Sequence, residues 1–286
     1  MKFFPKSFVF FFALFLFSGA AAFGAEISSV EWKDLSDQNI GPEGKAALSF
    51  GKELWRHAET EHFIYHFKES KQAETVYVHA EVYYRWIKEL FGVANDSWTQ
   101  KAHIFIFEDE TEWKDFLIRV HPRLQGDAYT NGRELFIYRD PYWLSPMQTT
   151  AHEITHLVVF RFLEGPIPLS LNEGFAEFVS FRALAMQMGQ SEFDLRTIQL
   201  MPAPDYISVQ KIIAMDAYPQ SNVPLFYRES ELFCRFLILS YSRENFYRFL
   251  KEISQGKPFD KSVQDIYSET PETLEQKFRA YAVSAN

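Results

Sequence analysis

His152 and His156 stand four residues apart in TTAHEITHLV, with Glu153 beside the first. On a helix turning 100° per residue, the two imidazoles lie about 40° apart and one turn along. They share one face and can grip a single ion. Glu153 is turned about 100° from His152, so it flanks that ion and can reach a water on it without ligating it. Zinc suits such a pair, because neutral imidazole is a good ligand and the ion imposes little geometry of its own. The competing explanation is an ordinary core helix, since Leu157, Val158, Val159 and Phe160 follow directly. Burying two histidines and a glutamate beside them without partners would be costly.

A catalytic zinc site has three protein ligands and one open position. A third ligand is offered by LSLNEGFAEFVSF, which begins at Leu169. Ser170 fits the N-cap of a second helix, on which Glu173 and Glu177 share a face. Glu173 could complete the metal shell. Glu177, one turn on, could accept a hydrogen bond from the other ring nitrogen of a ligating histidine. Ser170 and Glu173 also fit a capping box, in which the carboxylate turns back to the Ser170 backbone N–H. A glycine inside a helix costs ~1 kcal/mol against alanine, so Gly174 needs a packing reason. Close approach of the two metal helices, letting Glu173 reach between the histidines, is the expected one.

These helices need a frame. EHFIYHF (61–67) alternates Phe63, Tyr65 and Phe67 and reads as a strand, as does AHIFIF (102–107). Between them, Ala73, Val76, Tyr77, Ala80, Tyr84, Ile87 and Phe91 recur at helical spacing until Gly92. A short helix running to about Val120 follows the second strand. Asn131-Gly132, within 126–138, predicts a hairpin whose two turn residues both take positive φ. After Pro146 strand signals end. Helices are predicted near 147–163, 170–188, 224–241, 243–254 and 271–282, the last with Thr270 as N-cap and Pro271 at its first position. This order gives an α+β class, with an α/β lobe on a small mixed sheet leading into a helical lobe. An active-site cleft is expected between them.

HEITH followed by NEGFAEF resembles the gluzincin metallopeptidases, which are zinc hydrolases of peptide bonds. LNEGFAEF is similar to the ligand helix of the aminopeptidase N group and of secreted peptidase-MA-like proteins. The resemblance implies a zincin-like fold, zinc ligands at His152, His156 and Glu173, and Glu153 as general base. Glu177 matches the carboxylate that thermolysin-like enzymes carry four residues after their ligand glutamate. PLFYRESELFCRFLILSYSRENFYRFLKEI is similar to the tyrosine-bearing helix of the peptidase-MA-like group and the helix after it. That similarity implies Tyr227 as the donor to the developing oxyanion, although Leu225, Phe226 and Phe233 around it equally suit a core tyrosine. The resemblance covers roughly residues 60–282. The chain departs from the aminopeptidase N group in a shorter spacing from His156 to Glu173. It also lacks the Gly-x-Met-Glu-Asn stretch that anchors a free amino terminus there, so the expectation is an endopeptidase or a specialised peptidase. Two other readings stay open: a non-catalytic binding protein that keeps the fold, and a zinc hydrolase acting on a non-peptide bond.

The chain has 286 residues and a formal net charge of −9. Such acidity leaves no basic stripe for nucleic acid. Residues 1–25 carry Lys2 and Lys6, an apolar run and then small residues, the layout of a secretory signal peptide. The run falls short of the ~20 residues of a membrane span. Export to a periplasmic or extracellular space is expected, with an uncleaved anchor as the alternative, and no other segment spans a bilayer. The parts are then a leader (1–25), an N-terminal arm (26–59), loosely held over 26–50, and a peptidase domain (60–286), whose lobes meet near residue 163. Cys234 is the single cysteine, so no internal disulfide forms, and it reads as a buried hydrophobe. His62 and His66 are too far apart on a strand to share an ion. His57, His79 and His103 have no acidic or histidine partner at ligand spacing, and His121 falls in a loop. The expected partner is a peptide or protein substrate.

Overall fold

A computed structural model of the chain describes residues 27–93, 98, 100–124, 126–138, 146–163, 165–189 and 206–284. The expected leader lies outside them. Five strands form one mixed sheet: β1 (Arg56–Glu59), β2 (Phe63–Phe67), β3 (Ala102–Phe107), β4 (Ala128–Thr130) and β5 (Glu134–Tyr138). Their order is β1-β2-β3-β5-β4. β2, β3 and β5 run parallel, while β1 and β4 are antiparallel to their neighbours. Every residue of β2 and β3 is buried. Cover on both faces explains why these strands read as nearly continuous apolar runs.

On one face, Phe63, Tyr65, Phe67, Ile104 and Ile106 pack with Val76, Ala80, Tyr83 and Tyr84 of α2 (Ser70–Phe91). α2 stops where its periodicity stops, at Gly92, whose φ of +63° closes the last turn. On the other face, Phe105, Phe107 and Phe136 meet Trp113 and Phe116 of α3 (Glu110–Val120), together with Ile40 and Trp55. The N-terminal segment is therefore not the loose arm expected. Ile27, Leu35 and Ile40 are buried, and α1 (Pro42–Leu48) buries Ala47. Val30 N–H bonds the His57 carbonyl at 2.7 Å, and Gly41 N–H donates to Glu134 Oε1 at 2.7 Å. Sheet strand β1 itself lies in this segment. Scattered apolar residues without periodicity gave no sign of this, because each finds its partner across the fold.

The β4–β5 hairpin forms where Asn131-Gly132 predicts it, but only Gly132 has positive φ, at +84°. Asn131 closes the turn with its side chain, accepting from the backbone N–H of Arg133 at 3.0 Å and Glu134 at 2.8 Å. A Cβ on Gly132 would come within 2.4 Å of the Phe160 ring. The hairpin tip thus lies directly on the helix that carries the histidines.

Among the described residues the remaining elements are helices: α4 (Pro146–Leu163), α5 (Leu169–Gln187), α6 (Val209–Ile213), α7 (Val223–Ser240), α8 (Arg243–Ser254), α9 (Phe259–Tyr267) and α10 (Pro271–Ser284). Strands with helices first, then helices alone, make this an α+β fold. The five long helices fall where periodicity predicts them, and Thr270 Oγ1 caps α10 by accepting from Thr273 N–H at 3.2 Å. α6 and α9 are too short for periodicity to separate them from loop, though α9 buries Val263, Ile266 and Tyr267. Gly174 serves a different contact from the one expected. Its absent Cβ would lie 2.2 Å from the Ser230 carbonyl oxygen, so it lets α5 press against α7 rather than α4. Among the described residues no helix is long and apolar enough to cross a membrane.

Candidate metal centre

α4 turns Ala151, Ile154, Thr155, Leu157 and Val158 into the core and leaves His152, Glu153 and His156 on the cleft side. This split follows from helical spacing, because the core residues sit at i, i+3, i+4, i+6 and i+7. The two Nε2 atoms face each other 3.0 Å apart. Glu173, on α5, reaches between them. Its Oε2 is 3.4 Å from His152 Nε2 and its Oε1 is 3.6 Å from His156 Nε2. A tetrahedral zinc with ~2 Å legs sets its ligand atoms about 3.3 Å apart. The imidazole nitrogens at 3.0 Å and Oε2 at 3.4 Å from His152 Nε2 bracket that value, and the other oxygen comes within 3.6 Å of His156 Nε2, so the donor set fits the ion in chemistry.

Glu173 does not cap its helix. α5 begins at Leu169, one residue earlier than expected, with Pro168 at the N-cap and no side-chain cap. Ser170 lies inside the first turn, and its buried hydroxyl has no hydrogen-bond partner. The capping box is thereby lost and Glu173 is left to the histidines. Glu177, one turn on, places Oε1 3.0 Å from His152 Nδ1. With neutral imidazole, that contact fixes the proton on Nδ1 and leaves the Nε2 lone pair toward Glu173 and His156. His156 lacks the equivalent aid, for its Nδ1 is buried without a partner.

The electrostatics follow from these contacts. Burial opposes a charged His152, yet its hydrogen bonds to Glu173 and Glu177 outweigh it and hold its pKa up at about 10. Burial likewise opposes a charged Glu173, whose carboxyl the two histidines nevertheless hold well below the usual range.

The three donors line a cleft of about 1190 Å³ between the hairpin and the helices. Glu153 and half-buried Tyr227, on α7, line the same cleft. Burial and the nearby Glu173 push the Tyr227 hydroxyl up to about 12. Edge strand β4 forms one wall, while Val159, Phe160, Pro166, Ile167 and Val223 add apolar surface. One residue of the cleft escaped the sequence reading. Tyr218, in the segment between α6 and α7, donates its hydroxyl hydrogen bond to Glu173 Oε1 at 2.9 Å. It lies in no periodic pattern and beside no motif, so no sequence signal marks it.

The other histidines correct one expectation. Sheet register gives His57 and His103 the histidine partner that their sequence spacing lacks. His57 Nδ1 is 2.9 Å from His66 Nδ1, and His66 Nε2 is 2.9 Å from His103 Nδ1. Each ring nitrogen of His66 meets a different neighbour, so the three make a chain rather than converging on one point. His62 pairs with Glu81 at 2.7 Å and His121 with Glu43 at 2.9 Å. His79 Nδ1 meets the Thr75 carbonyl of its own helix at 2.8 Å.

No family model matches the chain, and no curated protein matches it. Among solved structures, it is similar to an M1 zinc metallopeptidase from Deinococcus radiodurans, at 13% identity and a TM-score of 0.45. That likeness covers 81% of this chain and 52% of the other. A mutant of the M1 zinc metallopeptidase from the same organism gives 12% identity and a TM-score of 0.43, over 79% and 51% of the two chains. The chain therefore spans about half the length of the solved structures it matches.

Proposed function

We propose that this chain is an exported, zinc-dependent, zincin-like peptidase of the gluzincin kind, with its leader at 1–25 and its peptidase domain at 60–286. One observation carries the reading: His152, His156 and Glu173 bring three ligand atoms within 4.8 Å of one another at the floor of a large cleft. His152 Nε2, His156 Nε2 and one Glu173 oxygen would hold the ion, and Glu177 would fix the His152 ring. A zinc ion so held acidifies water and polarises a carbonyl.

The chain's own groups supply the rest. Glu153, on the cleft side of α4, takes a proton from the attacking water and passes it to the departing amine. Tyr227 donates to the developing oxyanion, a contribution of ~3 kcal/mol for such a donor. Edge strand β4 offers backbone hydrogen bonds to an extended peptide laid along the cleft. The apolar wall of Val159, Phe160 and Ile167 takes uncharged side chains.

The test compares the protein without residues 1–25 with its Glu153→Gln variant, measuring bound zinc and cleavage of a mixed peptide library. Zinc in both and cleavage only in the first supports the reading. Zinc in both without cleavage favours a binding protein or a non-peptide hydrolase. No zinc bound by either protein, even when supplied, removes the reading altogether.

A further inference from the structure

Resting on the zinc reading above, we infer that Tyr218 is a positioning residue that holds Glu173 to one-oxygen coordination and so keeps a zinc position open for water and substrate. The argument begins with the carboxylate. Glu173 is 4% exposed, and both its oxygens lie within reach of the metal point. Unrestrained, such a carboxylate could chelate through both oxygens and fill the coordination place that catalysis needs vacant. Tyr218 donates to Oε1 at 2.9 Å. An oxygen that accepts a hydrogen bond from a phenol is a poorer metal donor, which leaves Oε2, 3.4 Å from His152 Nε2, as the ligating atom.

The phenol is braced for this task. Its ring meets Phe226 edge-on, with centroids 5.9 Å apart, and stacks on Tyr227 at 6.0 Å. Asn222, with φ of +59°, turns the chain from this segment into α7, a conformation asparagine tolerates better than most residues. Tyr218 has one hydroxyl proton and an ionised Glu173 can only accept, so that proton is committed to the carboxylate. At 49% exposure, Tyr218 adds little to the core, so the hydroxyl rather than the ring is the feature to remove.

The test is Tyr218→Phe in the protein without residues 1–25, which retains the ring. Zinc affinity is read by competition with a chromophoric chelator, and coordination by the visible absorption of the cobalt-loaded protein. The variant is expected to lose zinc affinity on the order of tenfold, the usual effect of removing a ligand's hydrogen-bond partner. Its cobalt bands are expected to weaken as Glu173 closes onto the ion through both oxygens. The thermal midpoint of the metal-free protein should not move, which separates this from a structural role. Unchanged affinity or an unchanged cobalt spectrum in Tyr218→Phe overturns the inference and leaves the zinc reading standing. Failure of the parent protein to bind zinc or cobalt overturns both.

Discussion

Glu177 Oε1 stands 3.0 Å from His152 Nδ1, behind the imidazole whose Nε2 faces Glu173. One carboxylate of α5 thus meets the back of the ring while the other meets its front. Glu177→Ala is therefore expected to lower zinc affinity by about 10–100-fold without unfolding the protein. Chelator competition measures this, and wild-type affinity in the variant would deny Glu177 its orienting role.

Ser170→Ala separates the two accounts of Glu173. A helix-capping serine is worth ~1 kcal/mol. Here the hydroxyl is buried without a partner, so its removal should leave stability within about 0.5 kcal/mol or raise it. Urea denaturation decides, and a loss near 1 kcal/mol would restore the capping box.

Gly174→Ala should destabilise the protein by about 1–3 kcal/mol, toward the upper end because the new methyl meets backbone. The Ser230 carbonyl at 2.2 Å cannot rotate away, so α5 must shift from α7. Glu173 is the preceding residue, and zinc affinity should fall alongside the denaturation midpoint. A stable Gly174→Ala protein with normal zinc affinity would contradict this packing.

Acid should weaken the sheet through His57, His66 and His103. Burial lowers all three: His103 to about 4, His66 well below its ordinary value with its two histidine neighbours adding to the effect, and His57 against the pull of Glu31. Their folded pKa values lie below the unfolded one, so the unfolded chain takes up protons first. The stabilisation is fully present above pH ~6.5 and drains away as pH falls from there through about 4. At His103 alone this amounts to roughly 3 kcal/mol. Denaturation midpoints from pH 7.5 to 4.5 should drop less steeply in His103→Gln than in the parent. Parallel curves would show that the chain does not titrate in this way.

Local signals carried much of this molecule, and non-local ones carried the remainder. HEITH shows its geometry in four residues, because helical spacing alone sets His152 beside His156. Glu177 was legible for the same reason, one turn from Glu173. The choice between capping and ligation for Glu173 was not, since it turns on whether α5 starts at Leu169 or after Ser170. Gly174 announced a close approach but not its partner, as α7 lies far along the sequence. Tyr218 and the histidine chain were invisible, for their contacts arise from a loop path and a strand register that no pattern encodes.

The convergence of His152, His156 and Glu173 on one zinc is tested most directly by anomalous diffraction at the zinc edge from crystals of the protein without residues 1–25. The account predicts one peak about 2 Å from His152 Nε2, His156 Nε2 and a single Glu173 oxygen, with Glu177 still against His152 Nδ1. No peak between these residues in zinc-soaked crystals, or a zinc held without Glu173, would contradict it.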